Sequence, residues 1–167
     1  RGRLNYPASV IDQNEGTISV WARLDPKEAR DYVHLWDSEG KRFALFMNQT
    51  YFYVYAKNNV STASPAIRKE IPSGFDETIW HLYTVRWSSS GITLFIDGEE
   101  VAFSTTDFTP LESGTFTFGN RYASADYAGG LFDELLILPY AATDAEIKAW
   151  YESGKPFIDQ DEINYQG

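Results

Sequence analysis

Between Gly119 and Tyr151 the chain sets down, in order, a glycine that ends an apolar run, a polar loop, a second apolar run interrupted by acids, and a capped helical segment. Thr143 followed three residues later by Glu146 forms a capping box, and Ile147, Trp150 and Tyr151 fall on one helical face. Gly154 and Pro156 then end the helix. The run over 131–138 is apolar at both parities, so as a strand it is expected to be buried on both sides. Asp133 and Glu134 lie inside it, and a buried carboxylate needs a partner. One short helix after many strands cannot build a layer of its own. It has to pack as a plug, which restricts the chain to a β-sandwich with a single helix against it.

The rest of the sequence supplies the strands. Residues 17–24 alternate Ile18, Val20, Ala22 and Leu24 with Ser19, Trp21 and Arg23, the period of a strand with two distinct faces. Residues 32–37 put Val33 and Leu35 on one side and Tyr32, His34 and Trp36 on the other. Strands are predicted over 42–48 and 51–57, with Asn48-Gln49-Thr50 as the turn between them. Residues 58–72 read as a long polar loop holding at most a short strand near 66–70. Further strands are predicted over 80–87, 92–96, 99–103, 115–118 and 131–138. Asp97-Gly98 is a two-residue hairpin turn, because glycine tolerates the positive φ that such turns need.

Charge and composition narrow the function. With 24 acids against 14 bases the net charge is −10, which repels a phosphate backbone and argues against nucleic acid. Cysteine is absent, which removes disulfides, thiolate metal sites and cysteine nucleophiles together. No apolar run has the length of a membrane-spanning helix. The chain starts Arg1-Gly2-Arg3, without an initiator Met or signal peptide, and is expected to be one module of a longer protein. Residues 1–157 form the expected domain and 158–167 a tail or linker to a following module.

Three motifs in order resemble a known family. Trp80-His81-Leu82-Tyr83-Thr84-Val85 precedes Ile92-Thr93-Leu94-Phe95-Ile96-Asp97-Gly98, and Phe132-Asp133-Glu134-Leu135 precedes Thr143-Asp144-Ala145-Glu146-Ile147. Together with Gly16-Thr17-Ile18-Ser19-Val20-Trp21 they resemble the laminin-G-like, concanavalin A-like jelly rolls, over roughly residues 14–155. The resemblance implies an all-β, two-sheet antiparallel jelly roll with one C-terminal helix. Such folds carry glycan-binding modules, lectins, receptor-binding modules, spacers and glycoside hydrolases. The ending over 150–157 is also similar to modules of phage tail and minor structural proteins.

The candidate residues divide the same way. Retaining glycosidases on this fold alternate their carboxylates along one strand, about 5 Å apart. Here the nearest acids, Asp133 and Glu134, are adjacent and point to opposite faces of a regular strand, so no catalytic residue is assigned. The family resemblance makes Asp133 a ligand of a structural Ca2+, with oxygens from around Asn14 to Gly16 completing the cage. The other reading of Asp133 is a carboxylate hydrogen-bonded to nearby backbone or paired with Arg or Lys; Arg23 and Arg86 are the expected partners of such buried acids. Tyr51, Tyr53 and Tyr55 alternate with Phe52, Val54 and Ala56, so three phenols line one face of a strand. Aromatic rings suit the apolar face of a pyranose. With Tyr32, His34 and Trp36 on the same concave sheet they would form a glycan groove; on the convex side, or under a loop, they are ordinary strand residues. Arg121 and Asp126 in the 120–127 loop can hydrogen-bond sugar hydroxyls while Tyr122 and Tyr127 stack, or the loop is simply solvated. Asn48-Gln49-Thr50 and Asn59-Val60-Ser61 fit the glycosylation pattern, which has no meaning in a bacterial or viral chain.

The expected function is non-catalytic glycan or polysaccharide binding by a module of an extracellular, cell-surface or virion protein, without membrane insertion. The alternative is a structural, assembly or host-adhesion domain of a phage tail protein, whose partners are other modules or virion proteins. Burial of the tyrosines against protein would favour that second reading.

Overall fold

The computed structural model describes residues 4–25, 32–38, 42–57, 64–106, 114–120 and 129–154. In chain order the strands are β1 (Leu4–Pro7), β2 (Gly16–Leu24), β3 (Val33–Ser38), β4 (Arg42–Met47), β5 (Tyr51–Lys57), β6 (Ile67–Glu70), β7 (His81–Ser88), β8 (Gly91–Ile96), β9 (Glu99–Ser104), β10 (Thr115–Phe118) and β11 (Gly130–Leu138). Helix α1 spans Asp144–Ser153. A six-stranded sheet in the order β1-β10-β3-β4-β5-β6 faces a five-stranded sheet in the order β11-β2-β7-β8-β9. Every pairing is antiparallel. The expected all-β jelly-roll sandwich is the fold observed. β1 and the 3-10 turn after it (Ala8–Val10) carry no periodic signal and were not expected.

The core is what period-2 alternation dictates. Ile18, Val20, Ala22 and Leu24 of β2, Tyr83, Val85 and Trp87 of β7, and Ile92 and Leu94 of β8 point inward from one sheet. Phe43, Leu45 and Met47 of β4 and Phe52, Val54 and Ala56 of β5 meet them from the other. Phe43 sits at the centre, 5.2 Å from the Trp87 ring and 6.0 Å from that of Trp36. Removing a fully buried aromatic of this kind costs about 3–5 kcal/mol. Gly16 is required by contact: a Cβ there would meet the Trp87 ring at 2.2 Å.

β2 is buried on both faces because α1 and the segment before it cover the outside of the five-stranded sheet. The Thr17 hydroxyl donates to the Tyr140 carbonyl and accepts from Ala142 N–H, both at 2.9 Å. Arg86 donates to the Ala142 carbonyl at 2.9 Å and to Asp144 Oδ1 at 2.7 Å, with its guanidinium 4.8 Å from the Phe95 ring centre. Ala142, Ile147 and Trp150 then close over Phe95, and Tyr151 stacks on Trp21 at 5.7 Å. Arg86 therefore holds the start of the helix; it does not pair with Asp133 or Glu134.

β11 departs from a regular strand. Asp133 pairs with Trp21 and Leu136 with Ser19, so Glu134 and Leu135 together oppose Val20 in a bulge. Glu134 takes a positive φ of 51°, and the Asp133 carboxylate accepts its N–H at 2.9 Å. The extra residue changes the parity: Phe132, Leu135 and Ile137 all pack on the core. Both acids are thereby kept out of it, Asp133 half-buried and Glu134 exposed. The bulge, which strand alternation does not announce, spares both acids full burial, and the Asp133 carboxylate is hydrogen-bonded to neighbouring backbone, as the second reading of that residue expects.

Candidate functional site

The outer face of the six-stranded sheet carries a continuous aromatic surface. Tyr51, Tyr53 and Tyr55 stand on it half-buried, while Phe52, Val54 and Ala56 go to the core. β4 adds Phe46, which pairs with Tyr53 in register and stacks on it at 4.9 Å and 18°. Tyr55 stacks on Phe46 from the next position at 5.5 Å, and Tyr32 meets it edge-on at 5.5 Å. Phe46 is only 4% exposed and acts as the floor on which the phenols rest. Tyr32 is 45% exposed. On the β6 side, Arg68 lies opposite Tyr53, exposed, with its guanidinium 3.9 Å from the Tyr51 ring centre. Such a cation–π contact holds the charge in place with its donors free to face outward.

Tyr32, Tyr51, Tyr53 and Tyr55 share this outer face, whereas Trp36 does not lie on it and His34 lies beneath it. β3 shifts register between His34 and Trp36, so that Trp36 pairs with Leu45. That irregularity turns Trp36 into the core, fully buried beside Leu35 and Phe43, and removes it from the outer face. His34 does face outward, but it is 2% exposed and stacked on Phe46 at 4.6 Å, so it supports the platform from within. Phe46 and Arg68 were not singled out from the sequence. Asn48, in one of the glycosylation patterns, holds the β4–β5 turn: its side-chain oxygen accepts from Thr50 N–H at 2.8 Å and Tyr51 N–H at 2.7 Å.

The metal set is not brought together. Asp133 is opposite Trp21, whereas Gly16 lies at the far end of β2, five residues and roughly 17 Å along the strand. Asn14 is exposed, and its N–H donates to Asp12 Oδ1 at 2.8 Å. Among the described residues no group of three or more His, Asp or Glu side chains is placed to hold a metal. Arg121, Tyr122, Asp126, Tyr127, the Asn59 pattern and the proposed tail over 158–167 lie outside the described residues. A cavity of about 340 Å³ opens at the sandwich edge between β6 and β9, over Phe52, Phe75, Ile96 and Val101. Its floor is the core itself, on the opposite side of β5 from the tyrosines.

A laminin-G family model, described as the concanavalin A-like lectin/glucanases superfamily, matches residues 2–148. The chain belongs to that superfamily. No match is found among curated protein sequences. Among solved structures, the CBM40 domain of a Ruminococcus gnavus IT-sialidase, bound to α2,3-sialyllactose, aligns at 16% identity and TM-score 0.66, over 85% of both chains. The binding domain of botulinum neurotoxin DC in complex with SialylT aligns at 16% identity and TM-score 0.66, over 84% of this chain. The present chain spans 36% of that neurotoxin chain. A Trypanosoma rangeli sialidase aligns at 11% identity and TM-score 0.59, over 84% of this chain and 23% of its own.

The motifs that mark this superfamily member are explained by its framework. Asp97 Oδ2 is 2.7 Å from His81 Nδ1, and Asp97 Oδ1 accepts from Leu82 N–H at 2.9 Å. His81 Nε2 is 2.9 Å from the Asp76 carbonyl, and its ring stacks on Phe75 at 4.3 Å. Both ring nitrogens are thus committed to the β7 entry loop and the β8–β9 turn. Burial, and then the Asp97 and Glu77 carboxylates, push the neighbouring Tyr83 phenol far above its usual range. Gly98, at φ 81°, completes the turn and lets α1 approach, since a Cβ there would meet Tyr151 Cβ at 3.0 Å and Lys148 Cα at 3.2 Å.

Proposed function

We propose that this domain is a non-catalytic carbohydrate-binding module that takes its glycan on the outer face of the six-stranded sheet. The observation that carries this reading is the contrast between the two outer faces. One is closed by α1; the other presents Tyr32, Tyr51, Tyr53 and Tyr55 over Phe46, with Arg68 at the border. Phenol rings in a row offer apolar contact to pyranose faces, and their hydroxyls offer hydrogen bonds to sugar hydroxyls. The sialyllactose and SialylT complexes of similarly folded domains support carbohydrate as the ligand class and make sialylated glycans the first to try. A module of this kind acts outside the cell or on a surface, as part of a longer protein.

A glycan-array screen of the domain, repeated with Tyr53→Ala and Tyr53→Phe, tests the reading. Specific glycans should be retained, and Tyr53→Ala should weaken them about tenfold or more, the equivalent of about 1.4 kcal/mol. Tyr53→Phe keeps the ring and should lose less. An array without a retained glycan, or a folded Tyr53→Ala that binds undiminished, would remove the proposal. The first of these outcomes would turn the search to a protein partner for the same face, as in an assembly or host-adhesion domain.

A further inference from the structure

The charge carried on the aromatic face narrows the ligand it takes. We infer that the face selects glycans bearing a carboxylate, on a sialic or a hexuronic acid, and that Arg68 is the residue that recognises the acid group. This rests on the glycan-binding role proposed above and assigns that site its ligand class.

Three observations converge on Arg68. The first is its placement. It pairs with Tyr53 in register, so it stands beside the middle one of the three tyrosines. Lys69, the other cation of β6, pairs with the core residue Phe52 and lines the edge cavity instead. The second is its freedom. Arg68 is exposed, and among the described residues it makes neither an ion pair nor a hydrogen bond. Even Glu70, two residues on and opposite Tyr51, is not paired with it. The third is its preorganisation. The guanidinium lies 3.9 Å from the Tyr51 ring centre. Stacking on a ring fixes the plane of the fork and leaves its edge N–H groups open, the geometry that meets a carboxylate with two parallel hydrogen bonds. A side chain already held in place also loses less freedom on binding.

The chemistry sets the neighbouring ligand classes apart. A neutral glycan can rest on the phenols but gains no charge-assisted contact from Arg68. A polyanionic glycan brings charges that one arginine cannot meet to a domain of net charge −10, which repels them. A single carboxylate is governed by the local contact, because exposed charges more than about 8 Å away are largely screened at physiological ionic strength. Glu70 disfavours that carboxylate on the Tyr51 side of Arg68 and leaves the Tyr53 side for it.

Calorimetric titration of the whole domain with 3′-sialyllactose and its methyl ester, and with cellobiouronic acid and cellobiose, tests the assignment. At least one acid should bind saturably and about tenfold more tightly than its uncharged counterpart, in line with one charge-assisted contact to an exposed side chain. The acid that does so separates a sialic-acid site from a uronic-acid site. Arg68→Gln should abolish the preference by weakening the acid alone, and Arg68→Lys, which keeps the charge without the fork, should retain only part of it. Tyr53→Ala should weaken charged and uncharged ligands alike, since both rest on that ring. No binding by either acid, equal binding of the acids and their counterparts, or a preference that survives in Arg68→Gln would each overturn the inference. The glycan face itself would still stand if Tyr53→Ala weakened whatever glycan is retained. Undiminished binding by Tyr53→Ala would remove that face, and the role of Arg68 with it.

Discussion

Asp97 occupies a left-handed backbone position, φ 54°, and accepts from His81 and from Leu82 N–H across the strand pair it terminates. Replacing it with Ala strands both donors in a half-buried environment and places an alanine where its Cβ is strained. Each unmet donor costs about 1–3 kcal/mol, so Asp97→Ala should lose about 2–4 kcal/mol by urea unfolding. Asp97→Asn keeps an acceptor for Leu82 N–H and tolerates the left-handed backbone, so it should lose about half as much. Equal stability of Ala and wild type would show that water replaces both bonds. The motif containing Asp97 was legible as a turn because Asp-Gly has a local conformational signature. Its tie to His81 was not, because that contact depends on side-chain rotamers across two strands. Trp36 shows the complementary limit: one irregular residue inverts strand parity and leaves no trace in the alternation.

At the scale of elements, α1 was legible throughout, since its capping box, apolar face and stop signal are all local. Thr143 N–H and hydroxyl both reach Glu146 Oε2, at 2.7 and 2.9 Å, and the Thr143 hydroxyl accepts from Glu146 N–H at 3.2 Å. Thr143→Ala should cost about 1 kcal/mol, the usual value of an N-cap, read as a lower unfolding midpoint. These hydrogen bonds, the one from Thr143 N–H first, hold the Glu146 carboxyl below its ordinary value of 4.5. A depressed folded-state value stabilises above the ordinary value and is lost as pH falls through the lowered one. The gap between wild type and Thr143→Ala, which removes the hydroxyl contact but keeps the backbone N–H one, should therefore narrow in acid; a gap unchanged between pH 7 and pH 3 would mean that the hydroxyl contact to Glu146 contributes nothing. β1 was invisible in the sequence for the opposite reason. Its four residues are mostly exposed, and what makes them a strand is pairing with β10, over a hundred residues away.

For the whole molecule, the order of strands decides what the surface can do. The tyrosine stripe could be read from β5 alone. Its floor and border could not, because Phe46 and Arg68 come from β4 and β6, and only the sheet order puts them beside it. The same order places β2 and β7 under α1, leaving the two outer faces unlike: one covered by a helix, the other paved with phenols. The most direct measurement is an amide-resolved NMR titration of the domain with the tightest glycan retained on the array. Saturable shifts should cluster on β4, β5 and β6, around Phe46, Tyr51, Tyr53, Tyr55 and Arg68. Saturable shifts confined to α1, β11 or the rim, with β5 silent, would contradict the central claim that the aromatic face is the glycan site.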